Sequence, residues 1–101
     1  MNMDWDVSSF QFHGFEWDNE KAESNRRKHG IDFEDAKYVF TQNVVARTQF
    51  EGGEIRWQAI GIAAGRELFI AFVENDGYCR IISARRCTRK EAGRYYALLN
   101  R

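Results

Sequence analysis

The sequence predicts an α+β fold: one compact domain whose antiparallel sheet, mostly a four-stranded meander, packs against two N-terminal helices and one C-terminal helix. Three observations carry this reading. Apolar residues recur at helical spacing before Thr41 and change to strand patterning after it. Glycine-centred turn signals at Gly52-Gly53, Gly65 and Asn75-Asp76-Gly77 divide the second half into strand-length pieces. Thr88 followed by Glu91 forms a capping box just before a last helical stretch. A chain of 101 residues holds one domain, and 44% hydrophobic residues suffice for its core.

The first ten residues mix Asn2, Asp4, Ser8 and Ser9 with Trp5 and Phe10, without sustained periodicity. They form an extension whose anchor the sequence leaves open. Phe12 to Trp17 alternates loosely and suits a short edge strand. Asp18 then caps a helix that ends at Gly30, with Ala22, Asn25, Arg26 and His29 along one side. A short second helix follows from Asp32, with Phe33, Ala36, Val39 and Phe40 as its apolar stripe. Val44 to Phe50 and Ile55 to Ile62 read as a hairpin. Leu68 to Val73 is a continuous apolar run, as expected of a central strand covered on both sides. Tyr78 to Arg85 completes the meander, and the last helix runs from Thr88 through Leu99.

Composition narrows the function classes. No apolar run approaches the roughly 18 residues of a membrane span, and no secretory signal pattern precedes Gln11, so no membrane partner is expected and the default compartment is cytoplasmic. Cys79 and Cys87 make no disulfide framework, and two histidines assemble no zinc-ligand pattern; no cofactor is expected. The formal net charge is zero but unevenly spread. From Gly77 onward Arg80, Arg85, Arg86, Arg89, Lys90, Arg94 and Arg101 face Glu91 alone, a net of +6, leaving −6 on the first 76 residues. A local basic stripe attracts phosphate within about one Debye length, roughly 8 Å, whatever the global charge.

The densest chemical segment is Arg80-Ile81-Ile82-Ser83-Ala84-Arg85-Arg86. Regular alternation puts Arg80, Ile82 and Ala84 on one face, with Arg86 in line, and Ile81, Ser83 and Arg85 on the other. Arginine forks hold two phosphate oxygens at once; the competing reading is structural pairing with Glu54, Glu67 or Glu74. His29 beside Lys28 suits proton transfer near neutral pH, whereas a helix C-terminus also collects cations through its dipole. Glu54 and Arg56 share one strand face, either as proton acceptor and phosphate clamp or as part of a surface ion-pair ladder. Metal-free RNA cleavage needs a base, cations for the phosphorane and an acid, and candidates for all three are present. A two-metal cluster, a glycine-rich phosphate loop, a helix-turn-helix signature and a hydrolase triad are not recognisable.

Two stretches resemble the BrnT toxins of type II toxin-antitoxin systems. One comprises Phe15-Glu16-Trp17-Asp18, Glu20-Lys21-Ala22, Asn25, Lys28-His29-Gly30, Phe33-Glu34 and Ala36; the other is the arginine segment with Thr88-Arg89 and Glu91, preceded by Glu54, Arg56 and Gly61. The resemblance spans roughly Phe15 to Tyr96, with residues 1–14 as an extension and 15–101 as the toxin domain. Asn19 stands where proline is common and Cys87 where alanine is usual. The resemblance implies a fold similar to RelE-type toxins, metal-independent endoribonuclease activity that stops translation and growth, and neutralisation by a BrnA-like ribbon-helix-helix antitoxin. Operator DNA would be met only through the antitoxin complex. Carried over residue by residue, it assigns the site to Lys28, His29, Glu54, Arg56, Arg80, Arg85 and Arg86. The alternative is a non-catalytic module that binds nucleic acid or the antitoxin. Trp5 and Phe10 in the extension either cover the sheet edge or await the antitoxin.

Overall fold

The computed structural model describes residues 4–101. Its elements run β1 (Asp6–Ser8), β2 (Gly14–Glu16), α1 (Asn19–His29), α2 (Phe33–Ala36), a 3-10 segment (Lys37–Thr41), β3 (Val44–Glu51), β4 (Glu54–Ala63), β5 (Arg66–Asn75), β6 (Tyr78–Arg86) and α3 (Arg89–Leu99). The antiparallel meander β3–β6 forms the centre of the sheet. It is not alone: the full order is β1-β3-β4-β5-β6-β2, six strands rather than four. β1 lies antiparallel along β3, and β2 lies parallel to β6 with Phe15 opposite Cys79. β2 falls within the edge strand expected over Phe12 to Trp17, whereas the three residues of β1 are too few for alternation to stand out in sequence.

Local chemistry sets the helix ends. The Asp18 side chain accepts from the Glu20 amide, and Gly30 closes α1 at φ 71° with its N–H on the Arg26 carbonyl. α3 starts with both halves of the capping box: the Thr88 hydroxyl accepts from the Glu91 amide and the Glu91 carboxylate accepts from the Thr88 amide.

Two unequal cores sandwich the sheet. On one face α2 and the 3-10 segment bring Phe33, Ala36, Val39 and Phe40 onto Val44, Ala59, Leu68, Ile70, Phe72 and Ile81. Phe10 and Phe12 join this core, packing on Phe40 and Phe72 at 5.3–5.8 Å between ring centres. The extension is therefore anchored by its aromatic residues. Gly61 is a point of close approach, since a Cβ there would meet Val39 Cβ at 2.9 Å and Val44 Cγ1 at 3.0 Å. On the opposite face α3 covers only one end, where Tyr95, Leu98 and Leu99 pack on Val45, Ile60 and Phe69. The rest of that face is uncovered by any helix.

α1 is hydrophilic, and Asn25 is its one buried residue. Arg26 lies at the surface, paired with Glu23 and near Asp32. β2 pairs with β6 only as far as Arg80, which leaves the backbone of Ala84 open at the outer edge. Asn25 fills that gap: its Oδ1 accepts from Ala84 N at 3.1 Å, and its Nδ2 donates to the carbonyls of Ala84 at 2.8 Å and Ile31 at 3.1 Å. One side chain thus takes the place of a neighbouring strand. Among the described residues no helix is long and apolar enough to cross a membrane.

Candidate active site

The register of the meander determines which charged residues meet. Antiparallel partners share a face, so the partners of Phe69, Ala71 and Val73 define the open side of β6. They are Arg85, Ser83 and Arg80. A bulge between Ala71 and Phe72 accounts for this, because Phe72 pairs with Ile81 and Ala71 with Ser83, leaving Ile82 as the extra residue. Regular alternation had placed Arg80 and Arg85 on opposite faces. The bulge corrects that and puts both on the open face.

Successive rows cross the sheet on this side. The row under α3 is Val45, Ile60, Phe69 and Arg85; the next is Arg47, Gln58, Ala71 and Ser83. Beyond it lie Gln49 and Arg56 on one flank and Val73 and Arg80 on the other, followed by Glu51 and Glu54 at the hairpin end. The small side chains of Ala71 and Ser83 make a floor, and long charged side chains rise around it.

The electrostatics of these groups differ. The Arg56 Nε donates to Glu54 Oε1 at 3.1 Å, the pairing expected for two residues on one strand face. Arg47 donates to Gln58, which donates to Gln49, a ladder across β3 and β4. Arg85 does pair with a carboxylate, but with helical Glu91 rather than Glu54, Glu67 or Glu74. The contact is bidentate at 2.8 and 2.9 Å, and the guanidinium also lies 4.2 Å from the Phe69 ring centre. This bond holds the Glu91 carboxyl below its ordinary range and raises Arg85. Arg80 is exposed and has no side-chain partner among the described residues. It is therefore available to a phosphate.

The other three expected site residues lie elsewhere. Lys28 and His29, at the end of α1, line a cleft of about 200 Å³ with Lys21, Ser24, Ile82 and Ser83. This cleft sits on the outer edge of β6. Ser83 belongs both to this cleft and to the Ala71 row. All four cations of this segment, Arg26 to His29, lie in the last turn of α1, where the helix dipole favours them, and Arg26 and Arg27 are in addition bridged to Glu23. Arg86 is opposite Leu68, which faces the large core, and it lines a separate cleft with Gly65, Arg66, Glu67 and Cys87. The structure does not bring Arg86 together with Arg80 and Arg85.

Sequence reasoning missed Arg47 and Gln58, and it considered Trp5 only as cover for the sheet edge or as an antitoxin contact. With Phe69, Arg85, Lys90, Glu91 and Arg94, these three residues line a cleft of about 370 Å³ at the α3 end of the open face. Arg47 sits in an alternating strand, but only the register shows what it faces. Among the described residues no group of three or more His, Cys, Asp or Glu is placed to hold a metal ion. Both cysteines are free, and burial pushes each thiol up to about 12, so neither is a ready nucleophile.

Comparison with known proteins bears on the fold and the family. Residues 17–91 match the family described as the ribonuclease toxin, BrnT, of type II toxin-antitoxin systems. The crystal structure of the Brucella abortus ribonuclease toxin BrnT superposes with a TM-score of 0.58 at 25% identity, covering 75% of this chain and 97% of that one. No curated protein sequence matches the chain. The fold and the family inferred from the two motifs are thereby shown, and the chain belongs to the BrnT family, the ribonuclease toxins of type II toxin-antitoxin systems.

Proposed function

We propose that the open sheet face is the RNA-cleaving site and that it works without a metal ion. The observation that carries this reading is the β6 bulge, which gathers Arg80, Ser83 and Arg85 on the face that already bears Glu54 and Arg56. RNA lies over the Ala71–Ser83 floor with its scissile phosphate among Arg80, Arg85 and Arg56. Glu54, held by Arg56, accepts the 2′-hydroxyl proton. The O2′–P bond forms through a pentacoordinate phosphorane whose charge the guanidinium groups stabilise, and the P–O5′ bond breaks. His29 or Lys28, reaching the face past Ser83, gives a proton to the leaving O5′. The products are a 2′,3′-cyclic phosphate and a 5′-hydroxyl end. Arg86, on the other face, attracts the flanking backbone without touching the reacting phosphate.

As a toxin of this family the chain acts on cytoplasmic RNA and arrests translation until a BrnA-like ribbon-helix-helix antitoxin covers the site, and operator DNA is met only through that complex. An uncovered basic face supports such neutralisation, since an acidic segment laid across it removes the phosphate site. The test incubates purified, antitoxin-free protein with RNA in excess chelator and identifies the product ends. Cyclic phosphate formation that survives chelation is expected. Binding without cleavage, or cleavage abolished by the chelator, refutes the proposal.

A further inference from the structure

We infer that Trp5 is a nucleobase-stacking platform that holds the base beside the scissile phosphate, an inference that rests on the open face being the RNA site. Trp5 lies ahead of β1 and outside the family-matched residues 17–91. Pairing of β1 with β3 sets Asp6 opposite Ala46, on the large-core side, and so turns Trp5 to the open face. There its ring meets Phe69 edge-on at 6.0 Å. The Arg47 guanidinium stands 4.5 Å from the ring centre and that of Arg94 5.7 Å.

An anchoring role alone accounts for the Phe69 contact but not for the remainder. The indole is only partly buried, and it forms one wall of the 370 Å³ cleft whose other walls carry Arg85 and Lys90. That volume lies in the range of small-ligand pockets, roughly 300–1,000 Å³. The one carboxylate lining the cleft, Glu91, is already held by Arg85. What remains is an indole with the guanidinium groups of Arg47 and Arg94 over its ring; a base that displaces the more distant one, Arg94, stacks on the ring while its phosphate meets arginine or lysine, the combination that binds single-stranded nucleic acid. The cleft and the Ala71–Ser83 floor share Gln58 and Arg85 as borders, so a base on Trp5 and a phosphate on that floor occupy one continuous face. The extension thus contributes a substrate contact to the catalytic face.

Two substitutions separate stacking from anchoring. Trp5→Phe keeps a π face, whereas Trp5→Leu keeps apolar contact with Phe69 and has none. Affinity for a single-stranded 2′-O-methyl RNA oligonucleotide, which cannot be cleaved, is measured by fluorescence anisotropy alongside steady-state cleavage of its 2′-hydroxyl counterpart. Trp5→Leu should weaken binding and raise KM by about tenfold with kcat changed far less, and Trp5→Phe should recover most of the loss. Equal binding by Trp5→Leu and wild type, or tighter binding once the indole is gone, overturns the inference. The binding arm decides it whether or not wild type cleaves; failure of wild type to cleave bears on the ribonuclease site alone.

Discussion

Replacing Asn25 by alanine tests how α1 is held on the sheet and whether that hold matters to the site. The substitution removes three hydrogen bonds in a position only 7% exposed, and leaves the N–H and C=O of Ala84 and the C=O of Ile31 without their partner. A buried donor left unpaired costs about 1–3 kcal/mol, and carbonyls somewhat less, so the total is about 3 kcal/mol. In a domain of this size each kcal/mol shifts the melting temperature by about 4–8 °C, so a fall of about 15 °C in circular-dichroism melting is expected. Asn25→Asp adds a sign. It keeps an acceptor for the Ala84 amide but turns a second oxygen toward two carbonyls, which raises the carboxyl's folded-state pKa above its unfolded value of about 3.9. A raised acid is tolerated below the unfolded pKa, and the penalty grows as pH climbs through the folded value. Asn25→Asp should therefore approach wild-type stability in acid and lose it toward neutrality. A loss below about 1 kcal/mol in Asn25→Ala, or a pH-independent Asn25→Asp, would show that α1 is held some other way.

The two arginines of the open face should behave differently. Arg80→Ala is expected to lower kcat by about 10²–10³ with unchanged melting, because no intramolecular partner is lost; Arg85→Ala should lower activity and stability together, because Glu91 and Phe69 lose a neighbour. Full activity in Arg80→Ala would move the phosphate away from that row. Gly61→Ala should destabilise by about 1–3 kcal/mol in urea unfolding, since the methyl group meets two buried valines; a neutral result would mean that the 3-10 segment shifts without cost. The depressed Glu91 carboxyl contributes stability that is present above its ordinary value of 4.5 and is lost as pH falls through the lower folded-state value. Glu91→Gln should flatten this part of the acid-unfolding profile, and an unchanged profile would show that the Arg85 pair contributes nothing.

The sequence by itself determined the central meander, the helix boundaries and the family. These rest on local rules: Asp18 and Gly30 close α1, the Thr88–Glu91 box opens α3, and Gly52, Gly65 and Gly77 adopt the positive φ their turns require. It also supplied the candidate residues, because Arg80, Arg85, Glu54 and Arg56 stand in recognisable motifs. Which of them meet was decided only in three dimensions. A single bulged residue, Ile82, reverses the face on which Arg80 lies, and alternation carries no mark of where a bulge falls. Alternation alone already separates Arg86 from its neighbour Arg85, but only register sets Arg47 beside Gln58, a relation between residues distant in sequence. Trp5 had no periodic context at all. Its place follows from three backbone pairings between β1 and β3, formed with a strand nearly forty residues away, and it is that long-range pairing that carries an aromatic ring onto the basic face.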